Sequence, residues 1–191
     1  MKAIFLTGQS NWCSCQLNSA QRTIADILSK EGISVVPLNF PYDTQMEGYR
    51  ESNLFTASLS NGLQYLFSRM ATFSNRYREQ VLRQFEDGSR YLVLAGSCGL
   101  ELFNNLNLPN YVLKKVHIFA YGPVARGLPK SQVTMLQGRD DWLSKRFFKQ
   151  VDYQIECGHM DYLECPEFIT LLLEKAHAIA KGDQFNETKK N

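Results

Sequence analysis

Tyr91-Leu92-Val93-Leu94-Ala95-Gly96-Ser97-Cys98-Gly99-Leu100 changes its period halfway along. Tyr91 to Ala95 is a short apolar run, the pattern of a strand buried on both faces, whereas Leu100, Leu102, Phe103 and Leu106 follow at helical spacing. Gly96-Ser97-Cys98-Gly99 separates the two. Small residues on either side of a serine permit a tight, strained turn that lifts the hydroxyl above a sheet at the amino end of the next helix. A nucleophile is placed that way, and Ser97 is the first candidate. Cys98 is its rival, but its position in the turn directs the side chain into the packing, as a small buried thiol.

On the amino-terminal side, Ala3 to Leu6 reads as a strand and Ile33 to Leu38 as a second, β-branched one. Between them Leu17, Ala20, Ile24, Ile27 and Leu28 recur at steps of three and four, with Asn18 or Ser19 to cap the helix and Gly32 past its end. That is a β-α-β unit, for which parallel strands are expected. Phe40 to Ser52 holds Pro41 and Asp43 and shows no period, so a long loop that covers something is expected there. Leu59, Leu63, Leu66, Phe67 and Met70 mark a helix, and Tyr77, Val81, Leu82 and Phe85 mark another, ended by Gly88. The spacing leaves open whether these are one bent helix.

On the carboxyl-terminal side, Val116 to Tyr121 is a strand closed by Gly122-Pro123, and Val133 to Leu136 is another, closed by Gly138. A parallel crossover usually takes about a dozen residues or more, so this link must be a minimal one. Trp142 to Lys149 suits a short helix and Tyr153 to Cys157 a last strand. Pro166 opens a final helix whose buried face is Phe168, Ile169, Leu172, Leu173, Ala176 and Ile179. The expected architecture is one α/β domain over residues 1–183. Its sheet is open and mostly parallel, with about six strands and helices on both faces, and residues 184–191 form a polar tail.

Composition narrows the function classes. The apolar share of 44% and the charged share of 21% suit a soluble globular chain, and a net charge of +2 gives no electrostatic case for nucleic acid or an anionic membrane. Met1 to Gly8 is too short an apolar run for a secretory leader, and nothing approaches the roughly 20 apolar residues of a membrane span. The expected compartment is therefore the cytoplasm. Five cysteines, Cys13, Cys15, Cys98, Cys157 and Cys165, are an odd number and read as reduced thiols. Cys13-x-Cys15 lacks the gap of zinc or thioredoxin motifs, so neither a metal nor another cofactor is expected.

The chemistry comes from what accompanies Ser97. Gly138-Arg139-Asp140-Asp141 follows an expected strand directly, which puts Asp140 or Asp141 on the sheet edge where ligands collect in open α/β folds. Gly158-His159 follows the last strand, on the same edge. Of three histidines, His117 lies within a strand and His177 on the final helix, which leaves His159 as the loop histidine able to take a proton from Ser97. A serine hydroxyl needs such a base, and the imidazole needs an acid to hold its tautomer. The order serine, acid, histidine is that of a nucleophile-elbow hydrolase.

The sequence resembles the α/β-hydrolase fold superfamily at these same positions. Gly158-His159-Met160-Asp161-Tyr162-Leu163-Glu164-Cys165-Pro166-Glu167-Phe168 is similar to the histidine loop and last helix of its esterase-like branch. Leu94 to Gly99 and Leu136 to Asp141 extend the likeness, the family's acid falling three residues after the glycine. The resemblance implies a serine hydrolase with Ser97, Asp141 and His159 as a triad. It would cleave a carboxylic ester or thioester, borne by a small molecule or a carrier, through an acyl-enzyme. It also implies an oxyanion hole made by the backbone N–H groups of Cys98 and Gln9, since Leu6-Thr7-Gly8-Gln9 stands where the family has a His-Gly loop. Thr7 replaces that histidine. The family's helical lid is expected to be missing, because the link after Tyr121 is too short for one, leaving the site open or covered by Phe40 to Ser60.

Several alternatives stay open at this level. Asp140 rivals Asp141 as the acid, and acyl transfer would use the same three groups as hydrolysis. A hydrolase-like binding or regulatory protein without activity is a second reading, and cysteine redox chemistry at Cys98 or Cys13 a third. Trp12, Tyr121, Trp142 and Met160 fall in loops on the active edge and either line an acyl pocket or serve as packing. Arg126, Lys130 and Arg139 either meet an anionic group or are solvated. The sequence leaves the oligomeric state unspecified.

Overall fold

The structure, a computed structural model, describes residues 1–8, 15–40 and 65–182. Its strands are β1 (Lys2–Leu6), β2 (Ser34–Asn39), β3 (Tyr91–Gly96), β4 (Val116–Tyr121), β5 (Gln132–Gly138) and β6 (Tyr153–Ile155). All five pairings are parallel, in the order β2-β1-β3-β4-β5-β6. The helices are α1 (Ser19–Lys30), α2 (Ala71–Gln84), α3 (Gly99–Asn105), α4 (Asn110–Leu113), α5 (Trp142–Phe147) and α6 (Pro166–Lys181). The open parallel sheet expected from the sequence is therefore present.

Period-two alternation sorts the strand residues into two cores. Ile4, Leu6, Val93, Ala95, Ile118 and Ala120 face one side, under Phe73, Tyr77 and Val81 of α2 and Leu100 and Phe103 of α3. Ala3, Phe5, Leu92, Leu94, Phe119 and Leu136 face the other, under Ile24 and Leu28 of α1 and Phe168, Leu172 and Ala176 of α6. Each large side chain buried this way contributes roughly 1.5–3 kcal/mol. Helices thus cover both faces, and the strands in the middle must be apolar throughout.

Local chemistry fixes the helix ends. Asn18 and Gln21 form a capping box at the start of α1. At its end, Ile33 N–H donates to Leu28 O at 3.0 Å and Gly32 N–H to Ser29 O at 3.0 Å, with Gly32 at φ 76°. That closure uses Ile33, so β2 begins at Ser34 and not at the first apolar residue. Residues 65–68 are helical, and Met70 is extended, with φ −87° and ψ 144°, as the cap of α2. These are two helices separated by a turn. Phe67 packs on Phe73, whereas Leu66 and Met70 point outwards at 56% exposure each; Leu59 and Leu63 lie outside the described residues.

The chain runs from β1 outwards to β2, then returns to place β3 on the other side of β1. This reversal makes the carboxyl ends of β1 and β3 the switch point of the sheet, the position where open α/β sheets hold their ligands. The link from β4 to β5 is ten residues long and lies across α3. Ala125 is buried in the core there, and Asn104 Nδ2 donates to Gly127 O at 2.8 Å. Pinned in this way, the link achieves a parallel connection without a helix.

Candidate active site

Ser97 is one of two described non-glycine residues with positive φ, at 52°. A left-handed backbone costs an L-residue roughly 1–2 kcal/mol, so the surroundings must impose it. Ser97 N–H donates to Tyr121 O at 3.1 Å, and Ser97 O accepts Val124 N–H at 3.0 Å, which locks the turn to the end of β4. Close approach explains the flanking glycines. A Cβ on Gly99 would overlap the Leu6 carbonyl, and one on Gly96 would strike the Tyr121 ring. Cys98 caps α3 with its side chain buried at 3% exposure, and burial pushes its thiol up to about 12 despite the backbone N–H groups of Cys98 and Gly8. A thiol held protonated is a poor nucleophile, which argues against cysteine chemistry at this position.

Asp141 follows β5 and caps α5, its Oδ1 accepting Ser144 N–H at 2.9 Å. It is fully buried, at 0% exposure. Its Oδ2 lies 2.9 Å from His159 Nδ1 and accepts the Tyr162 O–H at 2.7 Å. Burial alone would raise the Asp141 pKa, yet donors from His159, Ser144 and Tyr162 outweigh it and hold the carboxyl below its usual range. An ionised carboxylate only accepts, so His159 Nδ1 carries a proton and donates. In the neutral ring Nε2 is then the acceptor, and Ser97 Oγ lies 3.0 Å from it. Two hydrogen bonds therefore join Ser97, His159 and Asp141 at the carboxyl ends of three parallel strands. Asp140, the alternative acid, is exposed and outside this chain of contacts.

The turn after β1 is also fixed. Asn39, buried at the end of β2, accepts Thr7 N–H at 2.9 Å and donates to Thr7 Oγ1 at 2.9 Å and Thr7 O at 3.2 Å. Gln21 Nε2 reaches the same Oγ1 at 3.4 Å. Amide groups thus brace the loop that has Thr7 where the superfamily's loop has histidine. Gln9 and Trp12, expected in the oxyanion hole and acyl pocket, lie outside the described residues, as does most of Phe40 to Ser60.

The remaining candidates separate by environment. Trp142 and Met160, each next to a residue of the hydrogen-bonded chain, are exposed at 70% and 68%. Tyr121 is buried, its ring against Tyr162 at 5.8 Å and Phe168 at 5.3 Å between centroids. Arg126 donates from Nε and from its backbone to the carboxylate of buried Glu101, at 2.7 and 3.0 Å, and Arg139 pairs with Glu156. Lys130 is exposed in the β4–β5 link. His117 is buried against Thr134 and Gln132, and burial lowers its pKa; His177 sits on the outside of α6 against Glu31. Tyr162, Asn39 and Glu101 were not candidates at the sequence level. Each is a polar side chain adjoining a buried element, which was the available signal.

The open parallel sheet with helices on both faces, with Ser97 in a strained turn after β3 and Asp141 and His159 on later loops, has the architecture of the α/β-hydrolase fold. No protein-family model and no curated protein sequence matches the chain. Among solved structures it is similar to α/β hydrolase domain-containing protein 10 from mouse, with a TM-score of 0.57 and 13% identity over 95% of this chain and 90% of that one. It is also similar to a protein of unknown function from Agrobacterium tumefaciens that is grouped with the α/β hydrolases (TM-score 0.51, 12% identity, 95% of this chain and 86% of that one). A third is a variant of tomato methylketone synthase I complexed with β-ketoheptanoate (TM-score 0.52, 10% identity, 92% of this chain and 96% of that one). At such identities the likeness is one of fold. Among the described residues no helix is long and apolar enough to cross a membrane.

Proposed function

We propose that this protein is a serine hydrolase that cleaves a carboxylic ester or thioester through an acyl-enzyme. The observation that carries the reading is the connected series Ser97 Oγ, His159 Nε2, His159 Nδ1 and Asp141 Oδ2, with links of 3.0 and 2.9 Å, hung on a serine at φ 52°. Ser97 Oγ attacks the carbonyl carbon as its proton passes to His159 Nε2, and Asp141 stabilises the imidazolium. The tetrahedral oxyanion collapses, and the departing alcohol or thiol takes the proton from Nε2. Water then attacks the acyl-serine, with His159 again accepting a proton and returning it to Ser97 Oγ. The backbone N–H of Cys98, at the amino end of α3, faces the developing oxyanion in this scheme, and Gln9 is proposed as the second donor.

The short link after β4 supports an open site, suited to an acyl group carried on something large. Trp142 and Met160 would give its rim an apolar character, with Tyr121 forming packed floor. A fluorophosphonate tests the reading by intact mass. One adduct, lost in Ser97→Ala, is the expected result. Folded protein that takes no adduct, or that is modified equally in Ser97→Ala, refutes it. Comparing p-nitrophenyl esters with acyl-thioesters then identifies the leaving group, and product analysis with an added alcohol separates hydrolysis from acyl transfer.

A further inference from the structure

Tyr162 lies in a short 3-10 turn (Tyr162–Glu164) between His159 and α6, and it is 2% exposed. Its phenol oxygen accepts Gly138 N–H at 2.6 Å while its O–H donates to Asp141 Oδ2 at 2.7 Å. The first bond orients the second, because the amide occupies the oxygen and leaves the proton directed at the carboxylate. His159 Nδ1 donates to that same Oδ2 at 2.9 Å. One carboxylate oxygen therefore serves a phenol and an imidazole together. The more strongly the phenol holds Oδ2, the less negative charge that oxygen offers the ring.

We propose that Tyr162 is a positioning residue for proton transfer: it anchors Asp141 and, by sharing Oδ2 with His159, sets how strongly the carboxylate stabilises the imidazolium. This rests on the hydrolytic reading of Ser97, His159 and Asp141. The packing is built around the pair. A Cβ on Gly122, which has φ 54°, would come within 2.7 Å of Tyr162 Cε2 and 2.9 Å of Asp141 Oδ2, so the turn after β4 must be glycine for both to fit.

Among the described residues, the other titratable groups facing the cluster are Tyr121 from β4, Cys157, Asp161 and Cys165 from the β6–α6 loop, and Glu167 at the start of α6. Burial raises both phenols and pushes the Cys157 thiol up to about 12, so these three stay neutral near pH 7. The carboxylate of Asp161 accepts Gly158 N–H at 3.2 Å, and Glu167 lies near Cys157. Neither occupies Oδ2, so the sharing is specific to the Tyr162 hydroxyl.

Two variants of the full chain test this, Tyr162→Phe and replacement of Tyr162 by 3-fluorotyrosine, a stronger donor of nearly the same shape. The readouts are p-nitrophenyl acetate hydrolysis against pH and the proton NMR resonance of His159 Nδ1–H, identified by its loss in His159→Gln. Tyr162→Phe should lower kcat about tenfold, the order expected for one hydrogen bond to a charged group, with KM unchanged. It should also move the acidic limb of the profile to higher pH and the resonance downfield. The fluorotyrosine protein should move limb and resonance the opposite way. An active wild type whose variants leave limb and resonance in place overturns the proposal, as does a kcat loss in Tyr162→Phe with neither shift. If Tyr162→Phe fails to fold, the fluorotyrosine protein decides alone. A wild type inert to both p-nitrophenyl acetate and fluorophosphonate overturns the hydrolytic reading itself, and the proposal with it.

Discussion

Asp141→Asn changes one atom type at the most connected side chain of the site, and its cost follows from three donors. The carboxylate accepts from Ser144 N–H, His159 Nδ1–H and Tyr162 O–H at 2.9, 2.9 and 2.7 Å. An asparagine can keep its oxygen where Oδ2 stands, and its amino group then faces Ser144 N–H, which loses its acceptor. In the other orientation the amino group faces two donors at once. The first is the lesser loss: one buried N–H left unpaired costs about 1–3 kcal/mol, and two charge-assisted bonds weaken to neutral ones. Sparing the desolvation of a buried charge offsets part of this, but the lowered Asp141 pKa shows that the donors outweigh that penalty. The net loss is about 2 kcal/mol, or roughly 4–8 °C in Tm for a domain of this size.

The sign of the pH dependence follows from the same shift. A carboxyl whose folded pKa is depressed stabilises the fold above its unfolded pKa, and that contribution disappears as pH falls through the folded value. Urea denaturation of wild type and Asp141→Asn should therefore differ fully at pH 7, and the gap should narrow below the ordinary carboxylate value of 3.8. On the hydrolytic reading kcat also falls by roughly 10³–10⁴-fold, because the imidazole loses the partner that fixes its tautomer. A variant as stable as wild type at pH 7, or a gap that stays constant into acid, refutes the reasoning.

Strain at Ser97 makes Ser97→Gly more stable than Ser97→Ala by about 1 kcal/mol after allowing for glycine's freer unfolded chain, and equal Tm values for the two would exclude that strain. Arg126→Ala should cost about 1–2 kcal/mol in urea. Glu101 keeps its backbone and Asn105 donors, and the arginine is 53% exposed; a double-mutant cycle with Glu101→Gln should recover part of that loss. Gly99→Ala should cost about 2–3 kcal/mol because the Leu6 carbonyl must move, whereas Gly127→Ala, with open space around it, should stay within about 0.5 kcal/mol. Similar losses in the two glycine variants would show that backbone proximity is not the cause.

The fold was legible because its signals are local. Apolar runs such as Tyr91 to Ala95 become strands buried on both faces, and the Asn18 cap with Gly32 marks both ends of α1. Boundaries drifted by one or two residues where the backbone had another use. Ile33 closes α1, and Cys157 N–H turns back to Ile155 O, so β2 starts later and β6 ends sooner than their apolar character indicates. The choice between Asp140 and Asp141 could not be made from neighbouring positions in one turn. Burial separates them, and burial is a property of the packed sheet. Tyr162 was illegible for a related reason: its partners, Gly138 and Asp141, are more than twenty positions away in sequence. The pairing of Glu101 with Arg126 is equally non-local.

Among the described residues, the order β2-β1-β3-β4-β5-β6 leaves two strands with an open side, and both are poor templates for another chain. β2 carries Pro37, which has no N–H to offer, and Gln16 bridges antiparallel to Leu38 along the same strand. β6 is only three residues long, too short to hold a register with a foreign strand. Four mutually parallel strands lie between these two, and β1, β3 and β4 are largely apolar. The most aggregation-prone stretches of the sequence are thereby kept from each other's copies as long as the two blunt edges stay in place.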